Sequence, residues 1–148
     1  MSEARRDLSM MAMLVIHEDL IAQLYETYAQ ILPEHEPFWA QLAREEVQHA
    51  NLLCSVGGKN LSERDISLKG LLTSLDYVKV LLANALRQKM SMQMALTTAL
   101  QVENSIIEKN LFEIYEGDDE QLRSVFHSVS QGTRTHIARV EKALQELK

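Results

Sequence analysis

Four stretches of this chain carry apolar residues three or four apart, and each stretch interrupts that stripe near its middle with a glutamate or a histidine. The spacing is that of an amphipathic helix, whose apolar face must be buried against another element. An ionisable side chain centred on such a face has to enter the core. An unpaired buried carboxylate costs several kcal/mol, so a chain with this pattern must pair, protonate or metallate those groups in order to fold.

The first helix is expected from about Leu8 to Leu32, with Met11, Leu14, Val15, Ile21, Ala22, Tyr25, Tyr28 and Ala29 on its stripe and Pro33 as its stop. The second opens at Pro37 and follows Phe38, Trp39, Leu42, Ala43, Leu52, Leu53 and Val56 to a close at Gly57-Gly58. Residues 59–68 are polar and read as a connection. A further helical stretch runs from about Leu71 to Lys89, with Leu72, Leu75, Val78, Leu82 and Leu86 on one side, and a kink or break is expected near Ser91. The next helix carries Met92, Ala95, Leu96, Ala99, Ile106, Ile107, Leu111 and Ile114 and runs to Tyr115. After the turn Gly117-Asp118-Asp119, where either aspartate can cap, the last helix carries Leu122, Val125, Phe126, Val129, Ile137, Val140, Leu144 and Leu147. The fold expected is all-α: an antiparallel four-helix bundle over 1–148 as one domain, with an extra helix in the long connection between two hairpins.

The interrupting residues are Glu18 in the first helix, Glu46 and His49 in the second, Glu103 in the third, and Thr133 with His136 in the fourth. Glu18 lies fifteen residues before Pro33, and Glu46 and His49 lie thirteen and sixteen after it. Glu103 stands in the same relation to Asp118 as Glu18 does to Pro33, with Thr133 and His136 fifteen and eighteen beyond. At about 1.5 Å of rise per residue, all of them reach one level of an antiparallel pair of hairpins. The separations Glu18 to His49 and Glu103 to His136 are thirty-one and thirty-three residues, so the two halves read as copies. Three carboxylates against two imidazoles leave an excess of negative charge that favours a cation. A Glu and a His at i and i+3 aim at the same point.

The rest of the composition mostly excludes. A net charge of −6 argues against nucleic acid or an anionic membrane as the main partner. No apolar run approaches the roughly 20 residues of a membrane span, and the N-terminus reads as the start of a helix rather than a leader. The single Cys54 can form neither an internal disulfide nor a Cys-x-x-Cys site, so a reducing cytoplasm is the default. His17, His35 and His127 read as solvated, and Glu26, Glu108, Glu113 and Glu116 as a charged exterior. The methionines at 10, 11, 13, 90, 92 and 94 read as core and interface filling. Small residues at Ser128, Gly132 and Thr133 leave room beside the interrupted face, or allow close helix packing.

Nearly the whole chain outside 58–90 resembles the rubrerythrin and ferritin-like family of carboxylate-bridged di-iron bundles. The likeness rests on Glu18-x6-Tyr25, on Ala43-Arg44-Glu45-Glu46-Val47-Gln48-His49-Ala50, and on Glu103. The family places one Glu on each of two helices and a Glu-x-x-His on each of the other two. The fourth helix departs from this, since Thr133-Arg134-Thr135-His136 has Thr where the second bridging Glu belongs. The resemblance implies that Glu46 bridges two metals, with Glu18 and His49 on one and Glu103 and His136 on the other. Tyr25, two turns from Glu18 on the same face, reads either as a hydrogen-bond partner of a ligand carboxylate or as a core aromatic, and Asn110 holds the corresponding place in the second half. The expected cofactor is iron, one or two ions, with manganese or zinc as alternatives. The expected activity is oxidation of that iron by peroxide or dioxygen, with an external electron-donor protein and a homodimeric assembly. Two other classes remain open: a non-catalytic metal-binding or iron-handling bundle, which the Thr133 departure favours, and a metal-free helical interaction module.

Overall fold

The computed structural model describes residues 9–147 except Ile106, and at Lys109 and Asn110 the backbone alone. Five α-helices make up most of the described chain: α1, Met10–Ile31; α2, Glu36–Cys54; α3, Leu68–Arg87; α4, Met92–Glu103; and α5, Glu120–Glu146. A short 3₁₀ turn, Pro33–His35, joins α1 to α2, and a π-helical turn, Ile107–Leu111, follows α4. No strand occurs among the described residues, and no helix among them is long and apolar enough to cross a membrane.

Four of the five helix starts are set by side-chain caps, and α2 instead opens with Pro37 in its first turn. Ser9 Oγ accepts from Ala12 N at 3.0 Å, Ser67 Oγ from Gly70 N at 3.1 Å, and Ser91 Oγ from Met94 N at 3.1 Å. Asp119 Oδ1 accepts from both Gln121 N and Leu122 N at 3.0 Å. Each cap satisfies an otherwise orphaned amide and is worth about 1 kcal/mol. The feature expected near Ser91 is therefore a break and not a kink: α3 ends at Arg87, and α4 is capped anew.

The third principal helix is shorter than its stripe suggests, since the α-helix stops at Glu103 rather than Tyr115. Asn104 Nδ2 donates to Leu100 O at 2.9 Å, competing locally with continuation of the helix. Beyond it Phe112 N bonds Ile107 O at 3.4 Å, the i to i+5 pattern of a wide turn.

α1 packs along α2 and α3, α4 packs along α5, and α2 meets α5, which joins the two pairs. The apolar core is divided into two lobes. One holds Ile21, Tyr25, Tyr28, Trp39, Leu42, Leu96 and Val140. The other holds Met11, Leu14, Leu53, Leu71, Phe112, Phe126 and Val129. In the first lobe Trp39 is edge-on to Tyr28 and Phe38, at 4.9 and 5.0 Å between ring centroids, the arrangement aromatic rings prefer. Between the two lobes, α1, α2, α4 and α5 each bury polar residues.

Not every stripe residue reaches the core. Leu52, Leu86, Ile114 and Leu147 are exposed, as is Cys54. Ile114 loses its place because the helix that would have oriented it has already ended. Met11 and Met13 lie inside, so they fill the second lobe and offer no outer surface.

Candidate metal centre

The layer between the lobes is built from one or two turns of each helix. Glu18 comes from α1, Glu46 and His49 from α2, Glu103 from the last residue of α4, and His136 from α5. All five are buried, with His49 the most exposed at 6%. They form two overlapping groups, Glu18–Glu46–His49 and Glu46–Glu103–His136, within each of which candidate ligand atoms lie no more than 4.8 Å apart. Glu46 is common to both. Its Oε1 is 3.0 Å from His136 Nδ1 and its Oε2 is 3.3 Å from His49 Nδ1, so it faces one histidine with each oxygen. The two imidazoles stack with centroids 5.3 Å apart.

Around these five, further side chains hold the geometry. Tyr25 Oη donates to Glu103 Oε2 at 2.6 Å, across from α1 to α4. Glu45 Oε1 accepts from His136 Nε2 at 2.9 Å, and Glu45 is itself held by Arg139 Nη1 at 2.9 Å and Nη2 at 3.1 Å. A carboxylate on the outer nitrogen fixes the ring and leaves Nδ1 facing the centre, as outer partners of metal-bound histidines commonly do. His17 lies 3.1 Å from Glu18 Oε2 through Nδ1 and 2.8 Å from Ser74 Oγ through Nε2. Protonated at Nδ1, it donates to Glu18 and accepts from the Ser74 hydroxyl.

Two residues assigned to solvent by sequence are in this layer. His17 is fully buried, and Glu108 is 1% exposed with its Oε1 accepting from Thr133 Oγ1 at 3.0 Å. His17 sits beside Glu18 on a helix with an unusually wide buried face, because α1 packs on both α2 and α3. Glu108 is carried inward by the π turn. Of the other exterior assignments, His127, Glu26, Glu113 and Glu116 are exposed or partly so. The Asn110 side chain lies outside the described residues. The room expected at Gly132 is occupied by the His49 ring, because a Cβ there would stand 2.8 Å from His49 Cε1 and nearer still to Nε2. Space remains beside Thr133 and Ser130, where Glu108 and Asn104 also line a cavity of about 340 Å³.

The electrostatics follow from burial. Loss of water, then repulsion from Glu46, holds the Glu18 carboxyl well above its usual range. Burial and the Glu103 charge push Glu46 up to about 8. Burial followed by Glu18 raises Glu108 likewise. Burial also pulls His17 down to about 4 and lowers His49. Burial works against a charged His136, yet its hydrogen bonds to Glu103 and Glu46 outweigh it and lift the imidazolium to about 11. Burial likewise opposes ionisation of Glu103, which bonds to His136 and Tyr25 nevertheless keep as a carboxylate. Three carboxylate oxygens in the layer, Glu18 Oε1, Glu103 Oε1 and Glu108 Oε2, are buried with no hydrogen-bond partner. Each is costly while ionised; a proton shared between the Glu18 and Glu108 carboxyls relieves two of them, and a bound cation would relieve all three. Comparison of the chain with family models, with curated proteins and with solved structures finds no match in any of the three.

Proposed function

We propose that the chain is a ferritin-like four-helix bundle of α1, α2, α4 and α5, with α3 as the extra helix, whose central layer binds non-haem iron and uses it as an oxidoreductase toward peroxide or dioxygen. The observation that carries this reading is the set of three orphaned carboxylate oxygens converging with three imidazoles between two apolar lobes. The donors are carboxylate oxygen and imidazole nitrogen with no thiolate or thioether, a chemistry that suits iron, manganese or zinc rather than a soft metal. Met92 Sδ is engaged away from the layer, by Trp39 Nε1 at 3.3 Å in the first lobe.

Glu18, Glu46, His49, Glu103 and His136 would hold one or two ions, with Glu46 between them. Iron in that position supplies Lewis acidity and electrons for reducing a small oxidant. The chain's own groups set the conditions. Tyr25 orients Glu103, the Glu45–Arg139 pair orients His136, and His17 with Ser74 orients Glu18. The cavity at Thr133 and Glu108 admits molecules the size of water or peroxide to the edge of the layer. Cys54 is the sole cysteine of these 148 residues, so the bundle itself offers no cysteine-ligated electron relay, and the reading includes an external electron donor. A non-catalytic metal-binding or iron-handling bundle is the second reading, favoured by the Thr133 hydroxyl where a ligand carboxylate would stand.

Elemental analysis of chain purified without chelators, set beside a Glu46→Ala, His49→Ala variant, tests the centre. About two irons per chain, lost in the variant, are expected for a di-iron layer. Folded wild type without metal would leave the layer as a purely structural polar network and end the proposal. Adding peroxide to the ferrous form then separates the two readings: a change in its visible spectrum marks the oxidoreductase, and none marks the non-catalytic bundle.

A further inference from the structure

In a regular helix a residue five places after Glu103 is rotated by about 140° from it and faces away. Glu108 stands five places on, yet it is 1% exposed and inside the polar layer. The α-helix ends at Glu103, and the π turn Ile107–Leu111 swings the next carboxylate inward; such turns are frequent at functional sites. Its partner there is Thr133 Oγ1 at 3.0 Å, the residue at the i−3 position to His136 where Glu46 stands to His49. Its other oxygen, Oε2, is buried and unpartnered. Glu108, Glu18 and His17 bring ligand-capable atoms within 4.8 Å of one another, a third group that shares Glu18 with the group of Glu46 and His49.

We propose that Glu108 is a ligand of the ion held by Glu18 and His49, and that it replaces, from the π turn, the carboxylate that α5 lacks at Thr133. Charge supports the assignment. Three carboxylates, Glu18, Glu46 and Glu103, leave two divalent cations with an uncompensated positive charge in a buried layer, and Glu108 as the fourth brings the sum to neutrality. The Thr133 hydroxyl then has a defined role, since it donates to Glu108 Oε1 and leaves Oε2 for the metal.

The inference rests on the metal reading above, and anaerobic titration with ferrous iron separates the two. Wild type is expected to take two ions. Glu108→Gln, which keeps shape and the Thr133 contact, is expected to keep one ion at wild-type affinity and bind the second at least tenfold more weakly. Its metal-free melting temperature should equal or exceed that of wild type, because the amide keeps the shape and the Thr133 contact and removes the cost of ionising a buried group. The double variant Glu108→Gln, Thr133→Glu should restore the second ion to within a few-fold. Both ions retained at wild-type affinity in Glu108→Gln would overturn the assignment and leave the metal reading intact. So would loss of both ions together with a lower metal-free melting temperature, or a double variant no better than the single one. No ion bound by wild type would overturn both.

Discussion

Gly132 offers a test of the layer that needs only one methyl group. No glycine among the described residues has a positive φ, so Gly132 is not needed for backbone conformation. What it supplies is space for the His49 imidazole, with a Cβ at 132 falling 2.8 Å from Cε1. Carbon atoms pack at about 3.5–4.0 Å, so relieving the Cε1 contact alone needs a ring shift of roughly 0.7–1.2 Å in Gly132→Ala, and the closer Nε2 needs more. The ring is hemmed in on its other side by Glu46 Oε2, 3.3 Å from Nδ1, and by the stacked His136. Ligand positions tolerate about 0.2 Å, so the displacement takes Nδ1 out of coordinating range and metal affinity should fall by about 10–100-fold or more. Metal-free stability responds to two opposed effects. Alanine in a helix interior gains about 0.5–1 kcal/mol over glycine, while overpacking costs about 1–3 kcal/mol. In a His49→Ala background the clash is gone and only the gain remains. Chemical denaturation of the four metal-free proteins should therefore show a coupling of about 1–3 kcal/mol between positions 49 and 132. Additive effects in that cycle, with unchanged metal affinity in Gly132→Ala, would refute this geometry.

Three further outcomes are expected. Between pH 7.5 and 9, the metal-free protein should lose stability as pH rises. In that window His17 and His49, both held low, are neutral folded or unfolded, whereas Glu18, Glu46, Glu108 and His136 all have folded pKa values above their unfolded ones. A raised pKa means stability that is full below the unfolded value and lost as pH climbs through the folded one, at about 1.4 kcal/mol per unit for each proton involved. Thermal melts across that window check it, and a flat or rising metal-free profile would contradict the burial of these groups. Metal binding must expel the same protons, so affinity should rise with pH and an unbuffered titration should acidify. Tyr25→Phe removes the 2.6 Å donor to Glu103 and leaves that carboxylate with less support, costing about 1–3 kcal/mol in the metal-free state. A smaller loss in metal-loaded protein would show the ion taking over part of that support. Glu45→Ala removes the acceptor of the outer nitrogen of His136, and a 10–100-fold weaker metal affinity is expected with little change in fold. Equal affinity would place Glu45 outside the centre's support.

Much of this architecture was legible in residue order, for a definite reason. A helix repeats every 3.6 residues, so which side chains share its face is a local property of the chain. The stripes therefore located all five helices, and their interruptions at Glu18, Glu46, His49, Glu103 and His136 showed which polar groups enter the core. Because rise per residue is constant, counting from Pro33 and Asp118 also put those groups at one level. Tertiary structure decided everything that depends on a helix ending or on a second neighbour. Glu108 reaches the layer only because α4 stops at Glu103 and a π turn resets the angular register, which no periodic count can anticipate. His17 is buried because α3 covers a second face of α1, and whether a connecting helix docks there is a long-range matter of packing. Glu45 and Gly132 acquire their roles from side chains ninety-one and eighty-three residues away in sequence, through contacts that exist only once the two helix pairs have met.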